Sequence, residues 1–261
     1  MKQFDRDSFA RQLRQGAEEL HIGLSDAQVA QLLDYLALLA KWNAVYNLTA
    51  VRDPQQMLTQ HVLDCLAALP AFEHAQNVLD VGAGGGLPGL VLAIWGAART
   101  PAMQVSMIDT VHKKTAFLTQ AKSQLGLSNV TVHTARVESL QAPQKFDVIT
   151  SRAFAELKDF ITWSQHLLAE GGCYIAMKGV EPVEEISRLP NGWHVREVRP
   201  LHVPGLQAQR HLVFIEREAD TGADAQRRSA AGESRDVDDA TNKTDVTQSA
   251  NASAAIQKDQ A

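Results

Sequence analysis

The chain of 261 residues is 45% hydrophobic and 21% charged with a formal net charge of −5, the composition of a globular domain of ordinary size rather than of a fibrous, disordered or disulfide-rich chain. No stretch approaches the roughly 18 uninterrupted apolar residues that a membrane span requires, the opening MKQFDRDSFARQ lacks the apolar run of a secretory signal, and two cysteines, Cys65 and Cys173, are too few for a disulfide framework or a cysteine-rich zinc site. Residues 218–261 hold nine acids against five bases, which leaves residues 1–217 at −1, so overall charge does not advertise a nucleic-acid binder and any such affinity needs a local basic patch.

The first 70 residues read as helices. One is predicted over 5–21. A second opens at Ser25 with Gln28 three residues on, the spacing of a capping box. Val29, Leu32, Leu33, Leu36, Leu39 and Ala40 follow at steps of three and four, so one face is apolar and must be covered. Asp53 before Pro54 has the pattern of an N-cap and a first-turn proline and predicts a third helix to about residue 69. The turn between, KWNAVYNLTAVRD, holds too many aromatics and amides to be filler.

From residue 77 short apolar runs alternate with helical ones: NVLDVG, LPGLVLAIW, MQVSMID, KKTAFLTQAKSQLG, VTVHTA, FDVITS, LKDFITWSQHLLAE and GCYIAMKG, then a turn-rich stretch through Pro204, then HLVFIER. That alternation predicts an α/β fold with a parallel sheet covered by helices on both faces. Beyond about Arg217 the only large aliphatic residues are Val237, Val246 and Ile256, too few to offset the entropy of ordering, and a disordered polar tail is expected over 218–261.

The strongest chemical signal is Asp80-Val-Gly82-Ala-Gly84-Gly-Gly86-Leu-Pro-Gly89, directly after a predicted strand and before a predicted helix. Glycines there let the backbone turn sharply and approach a ligand at the carboxyl end of the first strand. Gly84-x-Gly86-x-x-Gly89 also fits the dinucleotide pattern, so the glycines alone do not choose the cofactor. The D-x-G-x-G-x-G string resembles the first motif of Rossmann-like methyltransferases that use S-adenosylmethionine. Asp109, 27 residues after Gly82, stands where an acid accepts hydrogen bonds from two ribose hydroxyls, though a helix N-cap is its ordinary alternative. Glu138 follows the third strand, where such enzymes often place a residue at the adenine.

WNAVYNLTAVRD, HVLDCL, LDVGAGGGLPGLVLA, IDTVHKKTAFL, RVESL, FDVITSRAF and MKG, in this order, resemble the RsmG family, also called glucose-inhibited division protein B, over about residues 25–217. The resemblance implies a class I, Rossmann-like S-adenosylmethionine-dependent methyltransferase domain over 71–217 with a helical N-terminal extension over 1–70 packed on it. Members methylate N7 of a guanine in 16S ribosomal RNA, guanine 527 in the family's usual numbering. Their cofactor contacts carry over onto Gly82, Leu87, the Val137-Glu138 pair and Arg152, beside the motif residues Asp80, Gly84, Gly86 and Asp109. The glycine loop reads GAGGG where threonine and proline are common, Cys65 stands where serine is common, and the tail has no counterpart.

N7 of guanine carries an in-plane lone pair and needs no deprotonation, so alignment and dry electrostatics suffice without a strong general base. Ser151-Arg152-Ala153-Phe154 stands where exocyclic-amine methyltransferases commonly carry an Asn/Asp-Pro-Pro-aromatic motif. Arg152, Asn47 and Asp64 are the expected catalytic residues. Arg152 suits guanine O6 or a phosphate, against an ordinary ion pair. Phe154 suits either an extruded base or the core. His61 and Asp64, three apart on the third helix, form a second group with Asn43 and Asn47, in which a histidine satisfied by a carboxylate is the simpler reading. Two ligands without a third make no metal site, and no metal is expected. Lys113, Lys114 and Lys178 are the expected phosphate contacts. The expected partner is 16S ribosomal RNA or the small ribosomal subunit, met by a cytoplasmic monomer. An NAD-dependent oxidoreductase and a non-catalytic RNA-binding factor are the competing readings.

Overall fold

The computed structural model describes residues 5–99 and 102–218; the predicted tail beyond Glu218 lies outside the described residues. Helix α1 (Arg6–Glu19) starts where Asp5 accepts the Ser8 N–H at 3.1 Å. Helix α2 (Asp26–Tyr46) opens with the full Ser25–Gln28 capping box and ends at Asn47, whose φ of 51° suits one of the few side chains that tolerate the left-handed region. Asp53 caps α3 (Pro54–Met57), which runs on through a wide π-turn, Leu58–Leu63, into α4 (Asp64–Ala68) and a 3-10 turn, Leu69–Phe72.

Strand β1 (Asn77–Val81), α5 (Gly89–Gly96), β2 (Gln104–Asp109), α6 (His112–Gln124), β3 (Val130–Thr134), β4 (Phe146–Arg152), α7 (Leu157–Ser164), β5 (Leu168–Lys178), α8 (Val183–Ile186), β6 (Trp193–Pro200) and β7 (His211–Arg217) follow. The seven strands form one sheet in the order β3-β2-β1-β4-β5-β7-β6. Successive residues of β1 serve opposite faces: Val78 joins the apolar cluster built with α2, α4, α5 and α6, and Leu79 the cluster built with α7.

The structure corrects three expectations. The sheet is mixed, because β7 runs antiparallel to β5 and β6 antiparallel to β7. The stretch before Pro204 contains β6, an edge strand whose charged residues and terminal proline hide it from a pattern search but suit an edge. The helix expected through Glu170 stops sooner, since Leu168 already pairs with Phe146 in β5 and a register shift at this end of the pairing accommodates the following glycines.

Helix α2 matters most for the site. The Gln28 amide donates to the carbonyls of Ile94 and Trp95 at the end of α5, whereas the Tyr35 hydroxyl donates to Gly85 O, ahead of the start of α5, at 2.7 Å. Helix α2 therefore runs antiparallel to α5, towards the carboxyl ends of the parallel strands, and continues past the glycine loop.

Candidate active site

Between β2 and β4 the chain order reverses around β1, the place where open α/β sheets bind ligands. A cleft of about 300 Å³ opens there, lined by Val81, Gly82, Asp109, Lys114, Val137, Glu138, Phe154 and Trp163, among others. Gly82 has a φ of 70°, and a side chain there would collide with the Phe154 ring, so only glycine lets the ring close on the loop. Asp109 fastens the loop to β2: its Oδ1 accepts the Val111 N–H at 2.8 Å and its Oδ2 the Gly84 N–H at 3.1 Å, with Lys114 Nζ 3.5 Å away. Glu138 lies at the cleft's edge, its carboxyl held below the usual range by the hydrogen bond from Arg136.

Asp80 stands behind this surface. It is fully buried, its Oδ2 accepts the Gly89 N–H at the first turn of α5 at 2.9 Å, and its Oδ1 has no hydrogen-bond partner. Burial pushes its pKa up to about 7, against the opposing pull of the Gly89 N–H and Arg152. Gly86 and Leu87 are likewise buried. Asp80, Gly86 and Leu87 thus support the loop from within, behind the residues that line the cleft.

Arg152, expected at the cofactor, turns elsewhere. Its Nη1 donates to Asp64 Oδ2 at 2.9 Å and to Gln60 O at 3.0 Å, and its Nη2 to His61 Nδ1 at 2.7 Å. Nδ1 thus faces a donor, Arg152 Nη2, and an acceptor, Gln60 O at 3.0 Å, while Nε2 meets Thr49 Oγ1 at 2.8 Å. Burial and then Arg152 bring the His61 pKa down to about 4. The wide turn over Leu58–Leu63 lets His61 and Asp64 meet the same guanidinium. Asn43 completes the chain by accepting the Thr49 N–H at 2.8 Å and donating to Val51 O at 2.9 Å.

Arg210 is a member that sequence reasoning missed. Its Nε donates to Asp64 Oδ1 at 3.0 Å, so one buried carboxylate is clamped by two arginines, and burial raises the Asp64 pKa against their pull. Two guanidiniums, one carboxylate and a neutral histidine leave the cluster positive. Arg210 directly precedes β7, and the pairing of His211 with Lys178 places it at the carboxyl edge only because β7 is antiparallel. In the all-parallel sheet expected from sequence, residue 210 falls at the opposite edge. Its signal was position alone, one residue ahead of a strand.

The other expected residues are dispersed. Asn47 is exposed and accepts from Arg52 at 2.8 Å. Phe154 lines the cleft while packing edge-on against Phe160 and Trp163. It follows Ala153, held at a φ of 54°, a strained backbone at the site's centre. Lys178 is corrected: with its side chain 18% exposed, it is committed to Glu185 at 2.7 Å and to Ala155 O at 3.2 Å, so it is not free for phosphate. Lys113 is exposed and its side chain has no hydrogen bond or ion pair among the described residues. No group of three or more His, Cys, Asp or Glu gathers as for a metal ion among the described residues, and none of the described helices is long and apolar enough to cross a membrane.

A sheet of this order, with a glycine loop after β1 and an acid closing β2, is the Rossmann-like fold of the class I methyltransferases, enzymes that draw their methyl group from S-adenosylmethionine. The family model GidB, described as rRNA small subunit methyltransferase G, matches residues 28–213, and the chain belongs to that family. It is 70% identical over 217 residues to Ribosomal RNA small subunit methyltransferase G of Janthinobacterium sp. (strain Marseille), covering 83% of this chain and 99% of that one. It is 69% identical to the protein of the same name from Herminiimonas arsenicoxydans, covering 83% and 100%. Among solved structures, ribosomal protein L11 methylase from Lactobacillus delbrueckii subsp. bulgaricus superposes with a TM-score of 0.47 at 18% identity, covering 64% of this chain and 80% of that chain.

Proposed function

We propose that the protein transfers the methyl group of S-adenosylmethionine to N7 of a single guanine, guanine 527 in the family's usual numbering, in the 16S RNA of the small ribosomal subunit. The observation that carries the reading is the pairing of a nucleoside-sized cleft with a neighbouring cationic cluster that contains no free base. Both His61 nitrogens are engaged, Nδ1 by Arg152 and Nε2 by Thr49, and both Asp64 oxygens are held by arginines. Such a site suits an acceptor nitrogen that already has its lone pair.

The residues present fit the cofactor. The Asp109 carboxylate on the cleft wall, with Val137 and Glu138 across from it, suits a ligand that carries ribose hydroxyls and a base. When bound, S-adenosylmethionine supplies an electrophilic methyl group on a sulfonium. Asp109 would offer its remaining lone pairs to the ribose hydroxyls, Val137 and Glu138 would hold the base, and Gly82 with Phe154 would close the wall. Arg152 and Arg210 provide the positive field for guanine O6 or an adjoining phosphate, each pre-oriented by Asp64.

The test is transfer of labelled methyl to small subunits taken from cells lacking this protein, followed by mapping of the modified nucleotide. Label confined to N7 of one 16S guanine is expected. Label at another atom, or none with S-adenosylmethionine still bound, rejects the reading.

A further inference from the structure

Helix α2 touches the glycine loop at Tyr35 and Leu39, then runs on for seven residues to Tyr46. That is two more turns, about 10 Å, carried past the loop at the end of the sheet where the cleft opens. This overhang bears Val45, 69% exposed, and Tyr46, 41% exposed, two of the four large apolar side chains left exposed among the described residues. Leu39, Trp42 and Tyr46 follow each other at helical spacing on one face. The Tyr46 ring lies 4.9 Å from that of Trp42, which in turn meets Phe117 edge-on at 5.6 Å, so the tyrosine is propped from behind and open in front. The Asn43–Thr49–His61–Arg152 chain ties the overhang to the end of β4.

The chain segment that bears it carries charge of one sign. No acid occurs between Asp34 and Asp53. The Lys41 side chain has no hydrogen bond or ion pair among the described residues, and the Arg52 side chain meets only the Asn47 amide. An exposed aromatic with a rigid backing, on a chain segment that carries cations and no acid, has the composition of a stacking platform for unpaired nucleic acid. Apolar docking of a protein segment does not call for the cations.

We infer that Tyr46 is the platform on which an unpaired base of the substrate RNA stacks, with Lys41 and Arg52 neutralising the phosphates beside it. This rests on the ribosomal RNA reading above and names the surface that receives the RNA.

The experiment compares the full chain with Tyr46→Ala, Tyr46→Phe and Lys41→Ala/Arg52→Ala in methyl transfer to small subunits, alongside S-adenosylmethionine binding and melting temperature. Tyr46→Ala is expected to raise KM for the subunit about 5- to 100-fold, with cofactor affinity and melting temperature unmoved, and Tyr46→Phe, which keeps the ring, to recover most of the loss. The double cation variant is expected to reduce the salt dependence of binding by about two phosphate contacts, which Tyr46→Ala leaves intact. A parent-like KM in Tyr46→Ala, an equal loss in Tyr46→Phe, or a loss that follows melting or cofactor affinity each overturns the platform. A parent chain that labels no small-subunit RNA overturns the function reading with it.

Discussion

Two buried titrations oppose each other within this site. His61, neutral with a pKa of about 4, stays uncharged while the unfolded chain takes up a proton near 6.5, so its contribution is complete above 6.5 and is lost as pH falls towards 4. Asp80, with a pKa raised to about 7, holds its proton while the unfolded chain ionises near 3.8, so its contribution is complete below 3.8 and is lost as pH rises through 7. Each amounts to about 3–4 kcal/mol over nearly the same window, and they largely cancel. In thermal melts between pH 4 and 7, Asp80→Asn is therefore expected to lose stability on acidification relative to the parent, and His61→Gln to gain it. Parallel pH profiles for both variants would remove the opposition. Arg152→Ala strips one of the two cations from a buried carboxylate and is expected to abolish transfer and lower stability by about 3 kcal/mol. Arg152→Lys is expected to restore part of the stability and little of the activity, because one ammonium cannot reach Asp64, Gln60 and His61 with the same planar fork. Steady-state kinetics and chemical denaturation separate the two effects.

Among the elements, those with local chemistry at their ends were legible and those defined by distant partners were not. Ser25 with Gln28 and Asp53 with Pro54 announce helix starts, and both caps form in the structure. The glycine loop was readable because Gly82 and its neighbours need backbone angles that few other residues reach. Strand β6 was illegible, since its pairing with β7 depends on a partner that comes later in the chain, and its own residues read as turn and charge. The direction of β7 was equally hidden, as an apolar run looks the same up or down, and with it went Arg210. Asn43, His61 and Asp64 could be grouped by spacing, but their link to Arg152 needed the fold. Gly82→Ala tests the loop: the new methyl meets both a strained φ and the Phe154 ring, and loss of S-adenosylmethionine binding with a melting temperature several degrees lower is expected. Unchanged cofactor affinity in that variant would show that the ring yields.

For the whole molecule, the relevant comparison is length. The Janthinobacterium relative is covered to 99% by an alignment of 217 residues that takes in 83% of this chain. A chain shortened to residues 1–218 is accordingly expected to keep parent-like kcat/KM on small subunits; a severalfold fall would give the segment a function. Net charge likewise says little: the −5 of the whole conceals a positive cluster at Asp64 and a run from Asp34 to Asp53 without an acid between them. The antiparallel seventh strand adds a consequence in time. During synthesis Asp64 and Arg152 emerge early, but the second arginine of their clamp arrives only with the closing strand, after every parallel strand has been made. An unfinished chain on its own ribosome therefore holds the glycine loop without the complete cationic cluster, which closes only once the seventh strand has been made.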